Sequence, residues 1–533
     1  MNATVVADPR EAAVRWGTGI EDGRATGHPC RQYAERPHSL AELLLDAQRW
    51  SEREFLVQGK RRLTGAEHAR AVACVAAELK RRGVKRGDFV LLQGFNRIEW
   101  VVSFWALQTL GAIVAFGNAW WSAPETAAAI TLTKPVLAVG ERMRPEALPA
   151  DLPTVSFAEV LAWIDAAGDL PLRVELVAEE QPALVIFSSG TTGNAKGVVM
   201  SHRSVIANIQ NLMHMTSRLP SQLDASHPGT VNLMTMPLFH QGGLQISLMT
   251  LLSGGKIVFL EGRFDPLQVL ELIDREKVRA WGTVPTMAAR VVQHERFVEF
   301  DTRSVSSVQM GGAPIPAELR AEIARAFPNS RQRVGSMYGL TETGVVAAGT
   351  GSDIEGRPGC VGRPLPVAEI RIANPDPNGV GEIVVRTPSA TIGYLGDDKP
   401  VADAEGWIAS GDLGRFDDEG RLYIVGRSKD MIIRGGENVA SVHVESCLRM
   451  HPKVAEVAVV PLPHPDFGEE VGAAIVVKPG EHVTAEELQA FAVARLACFE
   501  VPSRWWLMLD PLPTNATGKV LKREVLAQWP ETY

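Results

Sequence analysis

The sequence offers little that would brace the chain from outside its own core. Of its 533 residues only five are cysteines, at 30, 74, 360, 447 and 498, and none forms a Cys-x-x-Cys pair. With scattered thiols, an odd number of them and no such pair, neither a disulfide framework nor a zinc knuckle is expected. The thiols read as buried or inert groups of a reducing compartment. Positive charge is also short: 54 Lys and Arg stand against 62 Asp and Glu, a formal charge of -8. Nucleic-acid binders need a basic face, so that partner class is excluded. No long apolar run exists either. The most apolar stretch, 100–116, is interrupted by Ser103, Gln108 and Thr109 and is too short for a membrane span. Residues 1–35 are polar and carry no apolar leader segment. A cytoplasmic protein without a transmembrane segment is expected.

What is present is an α/β pattern. The length exceeds what one core holds, so two or three domains are expected. Helical spacing at 64–81 is followed by a short strand at 89–92 and a helix at 100–110. Apolar runs at 183–187, 256–260, 278–281 and 307–310 alternate with helices at 266–276 and 316–326, as in parallel sheets covered by helices. The texture changes after about residue 365, with short strands at 369–372, 381–386 and 421–425. A small α+β pattern follows: a hairpin, strands at 455–460 and 472–477, and a helix opened by Thr484 with Glu487 as its capping box. The expected fold is a large N-terminal domain of mixed and parallel sheets with helices, residues 1–427. A small mobile α+β C-terminal domain, residues 428–533, completes it.

The most informative segment is Ser188-Ser189-Gly190-Thr191-Thr192-Gly193-Asn194-Ala195-Lys196-Gly197. It follows a buried strand and precedes a helix beginning near Ser201. Three glycines let the backbone approach an anion, four hydroxyls donate to phosphate oxygens, and Lys196 adds positive charge. It is not a Walker A loop, because Lys196 is followed by Gly197 and not by Ser or Thr. The segment resembles the signature of the adenylate-forming superfamily, which includes acyl-CoA synthetases, firefly-type luciferases and the adenylation domains of peptide synthetases. Ala195 stands where many members carry proline.

Four further segments carry the resemblance from about Thr64 to the C-terminus. In Tyr338-Gly339-Leu340-Thr341-Glu342-Thr343 it implies that Tyr338 packs on adenine, Thr341 contacts the α-phosphate and Glu342 binds Mg²⁺. Gly311-Gly312-Ala313-Pro314 resembles the strand end lining the adenine and acyl pockets. In Ser410-Gly411-Asp412-Leu413-Gly414, Asp412 would hold the ribose hydroxyls, with Arg427 reaching the same sugar. In the 428–438 segment, Lys429 would be the hinge and Gly435-Gly436 a hairpin approaching the pantetheine arm of CoA. In 513–520, Lys519 would be the catalytic lysine of adenylation. Its charge would stabilise the approach of a carboxylate to the α-phosphate. Two departures stand out: Ala440-Ser441 where many relatives have Tyr-Pro, and Glu500 where they often have Lys.

The acyl site is expected beside Met236-Pro237-Leu238-Phe239-His240-Gln241-Gly242-Gly243, with His240 near the reacting carboxylate. Gly243, Trp281 and Gly311 would form its wall, and no Asp stands ready for an α-amino group. The resemblance thus implies a catalytic set of Lys519, Thr191, Glu342 and His240. ATP, Mg²⁺ and CoA would be the cofactor and co-substrates, and the acid the small-molecule partner. A homodimer is compatible with the sequence. With 14 residues after Lys519, no fused carrier domain is expected. Three rival readings are an adenylating enzyme that loads a separate carrier protein, a luciferase-like oxygenase, and a non-catalytic nucleotide or acyl-AMP sensor. An acid–thiol ligase acting on a hydrophobic carboxylic acid is the expected function.

Overall fold

The computed structural model describes residues 15–188, 196–313, 315–515 and 519–530. Thr64 opens the helix Gly65–Arg81 through a reciprocal pair of bonds with Glu67. The Glu67 amide donates to the Thr64 hydroxyl at 3.2 Å, and the Thr64 amide to the Glu67 carboxylate at 2.7 Å. One face of this helix buries Val72, Val75, Ala76 and Leu79. The apolar run at 100–116 is divided between the buried helix Ile98–Thr109 and the buried strand Ile113–Gly117. Among the described residues no helix is long and apolar enough to cross a membrane.

Among the described residues, two large sheets and the two-stranded hairpin Ile20–Ala25/His28–Tyr33 build the large domain. A seven-stranded sheet has a parallel interior of Pro182–Ser188, Ile113–Gly117, Phe89–Gln93 and Leu137–Gly140. At one side Lys196–Ser201 returns antiparallel on Pro182–Ser188, and Gly393–Tyr394 pairs with its outer edge. A thirteen-stranded sheet has a parallel centre, in which Val231–Met234, Ala280–Thr283, Ser307–Met310 and Val334–Leu340 lie side by side. From Gly344–Thr350 onward its strands run antiparallel, ending with Leu422–Arg427, Ile408–Phe416 and their neighbours.

The small domain has its own five-stranded sheet and its own core around Ile432, Val444, Val457, Ile475 and Leu488. The chain passes from the large sheet to the small one through a single tight turn, Ser428–Asp430.

Three local readings change. The strand expected at 278–281 forms at Ala280–Thr283. The preceding helix Pro266–Glu276 ends with Lys277 in left-handed conformation, φ 50°, and the Val278 amide closes back on Ile273 at 3.2 Å. The helix Ala485–Val493 is capped by Thr484, but only half the capping box exists. The Glu487 carboxylate turns instead to Lys453, 2.9 Å away. Finally, the helix expected near Ser201 forms as His202–Met215, capped by Ser201, but it is preceded by a strand the sequence did not mark, Lys196–Ser201, antiparallel to Pro182–Ser188.

Candidate active site

Asp412 is the best-fixed charge of the site. It is 4% exposed and lies on Ile408–Phe416, directly opposite Arg427 on the neighbouring antiparallel strand. Arg427 Nε donates to Asp412 Oδ1 at 2.8 Å, and the Tyr338 hydroxyl donates to Oδ2 at 2.9 Å. The Asp412 amide in turn donates to Ser410 Oγ at 3.0 Å. One carboxylate is thus held by two donors from different strands, with its remaining lone pairs available to hydroxyls. Burial, and then the nearby Asp412 charge, push the Tyr338 phenol well above the usual tyrosine range, so it stays a neutral donor.

The small domain brings Lys519 to the same place. A Thr514–Val520 bridge closes a tight loop, within which the Lys519 amide donates to Asn515 Oδ1 and the Asn515 amide to the Lys519 carbonyl, each at 2.9 Å. Lys519 is exposed, and its charge is felt by Arg427, Lys429, Asp430 and Asp412. Loss of hydration, and then the charge of Arg427, lower its pKa to about 8, against the opposing pull of Asp412 and Asp430. Lys429, in the connecting turn, is held below the usual lysine range, again by lost hydration and then by Arg427. Asp412 and Arg427 of the large sheet, Lys429 and Asp430 of the connecting turn, and Lys519 of the small domain therefore share one electrostatic neighbourhood.

The loop after Lys519 is anchored from behind. Lys522 Nζ donates to Ser441 Oγ at 2.7 Å and pairs with Glu445 at 2.7 Å. Ser441, a departure from the family pattern, thereby supplies an acceptor that proline could not. The other departure, Glu500, caps a turn by accepting from the Ala497 amide at 3.0 Å and lies 3.7 Å from His443 Nε2.

On the large domain, Ser188 and Lys196 face each other in register at the mouth of the phosphate segment. Ser189, Gly190, Thr191, Thr192, Gly193, Asn194 and Ala195 lie outside the described residues, as does Pro314. Thr341 and Glu342 occupy the turn between Val334–Leu340 and Gly344–Thr350. Gly344, with φ 72°, makes that turn possible. A Cβ on Gly339 would lie 2.0 Å from the Gly344 carbonyl oxygen, so only glycine allows the strands to cross there. The turn is pinned by the Thr391 amide on the Glu342 carbonyl, 2.7 Å, and by Ser389 Oγ on the Thr343 carbonyl, 2.7 Å. The Tyr394 hydroxyl donates to Glu342 Oε1 at 2.9 Å, and Lys196 Nζ sits 4.6 Å from the centre of the Tyr394 ring. Tyr394 was not among the sequence candidates.

Glu342 suits a metal that arrives with a ligand. Tyr394 occupies one carboxylate oxygen, and among the described residues no three His, Cys, Asp or Glu side chains cluster to hold a metal unaided. A cation coordinated mainly by phosphate oxygens and water, as Mg²⁺ prefers, fits such a single carboxylate.

The acyl side needs two corrections. Trp281 is completely buried; its ring packs edge-on against Phe327 and its indole N–H donates to Thr235 Oγ1 at 3.0 Å. Alternation along Ala280–Thr283 puts it in the core beneath the sheet, and Gly282 takes the opposite, half-buried face. Gly243 is a packing glycine: a Cβ there would lie 2.1 Å from the Pro237 carbonyl oxygen. The half-buried face of the helix Gln241–Leu252 is instead Gly242, Gln245, Ile246 and Met249. Ile246 fills the space over Gly282, and Gln245 Nε2 lies 4.0 Å from Met337 Sδ.

His240 sits at the N-terminus of that helix against Phe239, and burial lowers its pKa to about 4, so it is neutral at physiological pH. Gly311 and Ala313 are half-buried, and Gly312 is exposed with φ 78°. Gly435 and Gly436, with φ 59° and 90°, form the two-residue turn between Met431–Arg434 and Glu437–Ala440. The Gly435 amide donates to the Phe467 carbonyl at 2.8 Å, so the hairpin tip rests on its own domain.

The comparisons agree with this architecture. Residues 44–395 match the family described as AMP-binding enzyme, and residues 443–519 match the AMP-binding enzyme C-terminal domain. A feruloyl-CoA synthase of Amycolatopsis sp. is 34% identical over 479 residues, covering 87% of this chain and 93% of that protein. The 4-coumarate--CoA ligase-like 9 of Arabidopsis thaliana is 31% identical, with 87% and 84% covered. The ATP-bound structure of MatB from Rhodopseudomonas palustris superposes with a TM-score of 0.80 at 26% identity, covering 91% of this chain and 98% of that one. With matches across both domains and a full-length likeness in fold, the chain belongs to the adenylate-forming superfamily of AMP-binding enzymes, in its CoA-ligase family.

Proposed function

We propose that this enzyme is an AMP-forming acyl-CoA synthetase acting on a hydrophobic monocarboxylic acid, with aryl-substituted acids favoured. The observation that carries the proposal is the approach of Lys519, from the small domain, to Asp412, Arg427 and Lys429. A cation beside the proposed ribose contacts supports that reading, because adenylate formation would need positive charge at the α-phosphate. Asp412 and Arg427 would hold the ribose, Tyr338 the adenine, and Thr341 the α-phosphate. The phosphate segment from Ser188 to Lys196 would cradle the polyphosphate. Glu342 would hold Mg²⁺, which supplies neutralising charge to the phosphates. The Lys519 ammonium would stabilise the negative charge shared by the incoming carboxylate and the α-phosphate, with no protein nucleophile required.

The second half-reaction would follow a rotation of residues 428–533 about Lys429. The short turn Ser428–Asp430, by which the chain passes from one sheet to the other, supports that reading. Rotation would carry Lys519 out and bring the Gly435-Gly436 hairpin toward the path of the CoA thiol, which attacks the adenylate carbonyl and releases AMP.

The acid class rests on the half-buried apolar surface of Ile246, Met249 and Met337, on a neutral His240, and on relatives named feruloyl- and 4-coumarate-type CoA ligases. No carboxylate stands among those side chains to receive an ammonium group. The test is pyrophosphate release and acyl-CoA formation across acetate, medium and long fatty acids, cinnamates, benzoates and amino acids, with and without CoA. Each methylene buried should add about 0.8 kcal/mol of binding until the pocket fills. Preference for acetate or a free amino acid, or acyl transfer only to an added carrier protein, would overturn the reading.

A further inference from the structure

Tyr394 lies where two charged groups of the phosphate end meet. Its strand pairs antiparallel with the strand leaving the phosphate segment, Val198 opposite Tyr394 and Val199 opposite Gly393. The Leu395 amide donates to the Gly197 carbonyl at 2.7 Å, and the Ile392 amide to the Val199 carbonyl at 3.0 Å. The same short segment grips the Glu342 turn through the Thr391 amide at 2.7 Å. The backbone of 391–395 is thus tied on one side to Lys196 and its strand, and on the other to Glu342. The Tyr394 side chain repeats this bridge: the hydroxyl donates to Glu342 Oε1 at 2.9 Å, and the ring face receives the Lys196 ammonium at 4.6 Å. Without the phenol, Glu342 and Lys196 would be opposite charges on neighbouring elements, free to pair with each other. The interposed ring keeps them apart yet fixed, one by its edge hydroxyl and the other by its face.

We propose that Tyr394 is a positioning residue for adenylation, which holds the Glu342 carboxylate toward the metal and the Lys196 ammonium toward the phosphates and prevents their mutual neutralisation. The inference rests on the reading above that Glu342 meets Mg²⁺ and Lys196 the polyphosphate.

Two substitutions separate its functions. Tyr394→Phe removes the hydroxyl and keeps the ring; Tyr394→Leu removes both. Binding of ATP with and without Mg²⁺ is measured by calorimetry, and the Mg²⁺ dependence of pyrophosphate release is measured at saturating ATP and acid. Glu342→Gln serves as the reference, and thermal unfolding confirms that each variant is folded. Tyr394→Phe should raise the Mg²⁺ concentration for half-maximal rate about tenfold, the scale of one hydrogen bond to a charged group, and weaken MgATP binding to match. It should leave metal-free ATP binding unchanged. Tyr394→Leu should weaken metal-free ATP binding as well, through loss of the ring under Lys196. Neither should slow thioester formation from pre-made acyl-AMP. If Glu342→Gln shifts the Mg²⁺ requirement and Tyr394→Phe does not, the positioning role is overturned alone. If neither shifts it, the metal role of Glu342 falls, and the positioning role with it.

Discussion

Arg427 Nε and Asp412 Oδ1 meet at 2.8 Å from directly opposed positions on adjacent antiparallel strands. The pairing fixes a buried carboxylate before any nucleotide arrives. It also places Arg427 one residue before the turn at which the chain leaves the large sheet. The proposed ribose contact and the joint between the two sheets therefore share one strand end.

The first prediction concerns that carboxylate. Asp412→Asn keeps the shape but turns one of its two acceptors into a donor, facing either the Tyr338 hydroxyl or Arg427. The KM for ATP should rise roughly ten- to a hundredfold, as expected for losing a hydrogen bond between charged or hydroxyl groups. Stability should fall by about 1–3 kcal/mol because a buried donor is left unmatched. ATP kinetics and the urea midpoint measure the two effects; an unchanged KM would remove Asp412 from the ribose site.

The second prediction is a pH limb. With its pKa lowered to about 8, Lys519 carries its charge below that pH and loses it above. Adenylation needs the ammonium form, so kcat/KM for ATP in the pyrophosphate-release assay should fall above pH 8, by about tenfold per unit once the group is largely neutral. Lys519→Arg should be slower at its plateau but lose this limb, because a guanidinium does not deprotonate in this range. A limb that persists in the Arg variant would belong to another group.

Much of this was legible in the sequence, because the signals were local. The amphipathic helix at 64–81 and the Gly435-Gly436 hairpin turn rest on patterns that act within a few residues. What sequence could not give was the partner across space. Trp281 looks like a pocket residue by position, but strand alternation buries it against Phe327 and Thr235, and the register that decides this is set by neighbouring strands. Glu487 has the spacing of a capping box, yet Lys453 competes for its carboxylate from 34 residues away. Tyr394 meets Glu342 across 52 residues, and no local period marks it. Ser441 was visible only as a departure; its acceptor role depends on Lys522, which reaches it from the far end of the small domain.

We propose that Lys519 serves one half-reaction, adenylation, from the arrangement seen here. The most direct measurement takes Lys519→Ala through the two steps separately: acyl-AMP and pyrophosphate from acid and MgATP, then acyl-CoA from pre-made acyl-AMP and CoA. The account predicts that the first step falls by roughly two to three orders of magnitude, as for removal of a preorganised charge at the reacting centre. The second should remain close to the unsubstituted rate, since Lys519 has by then left the cleft. An equal loss in both steps would contradict it.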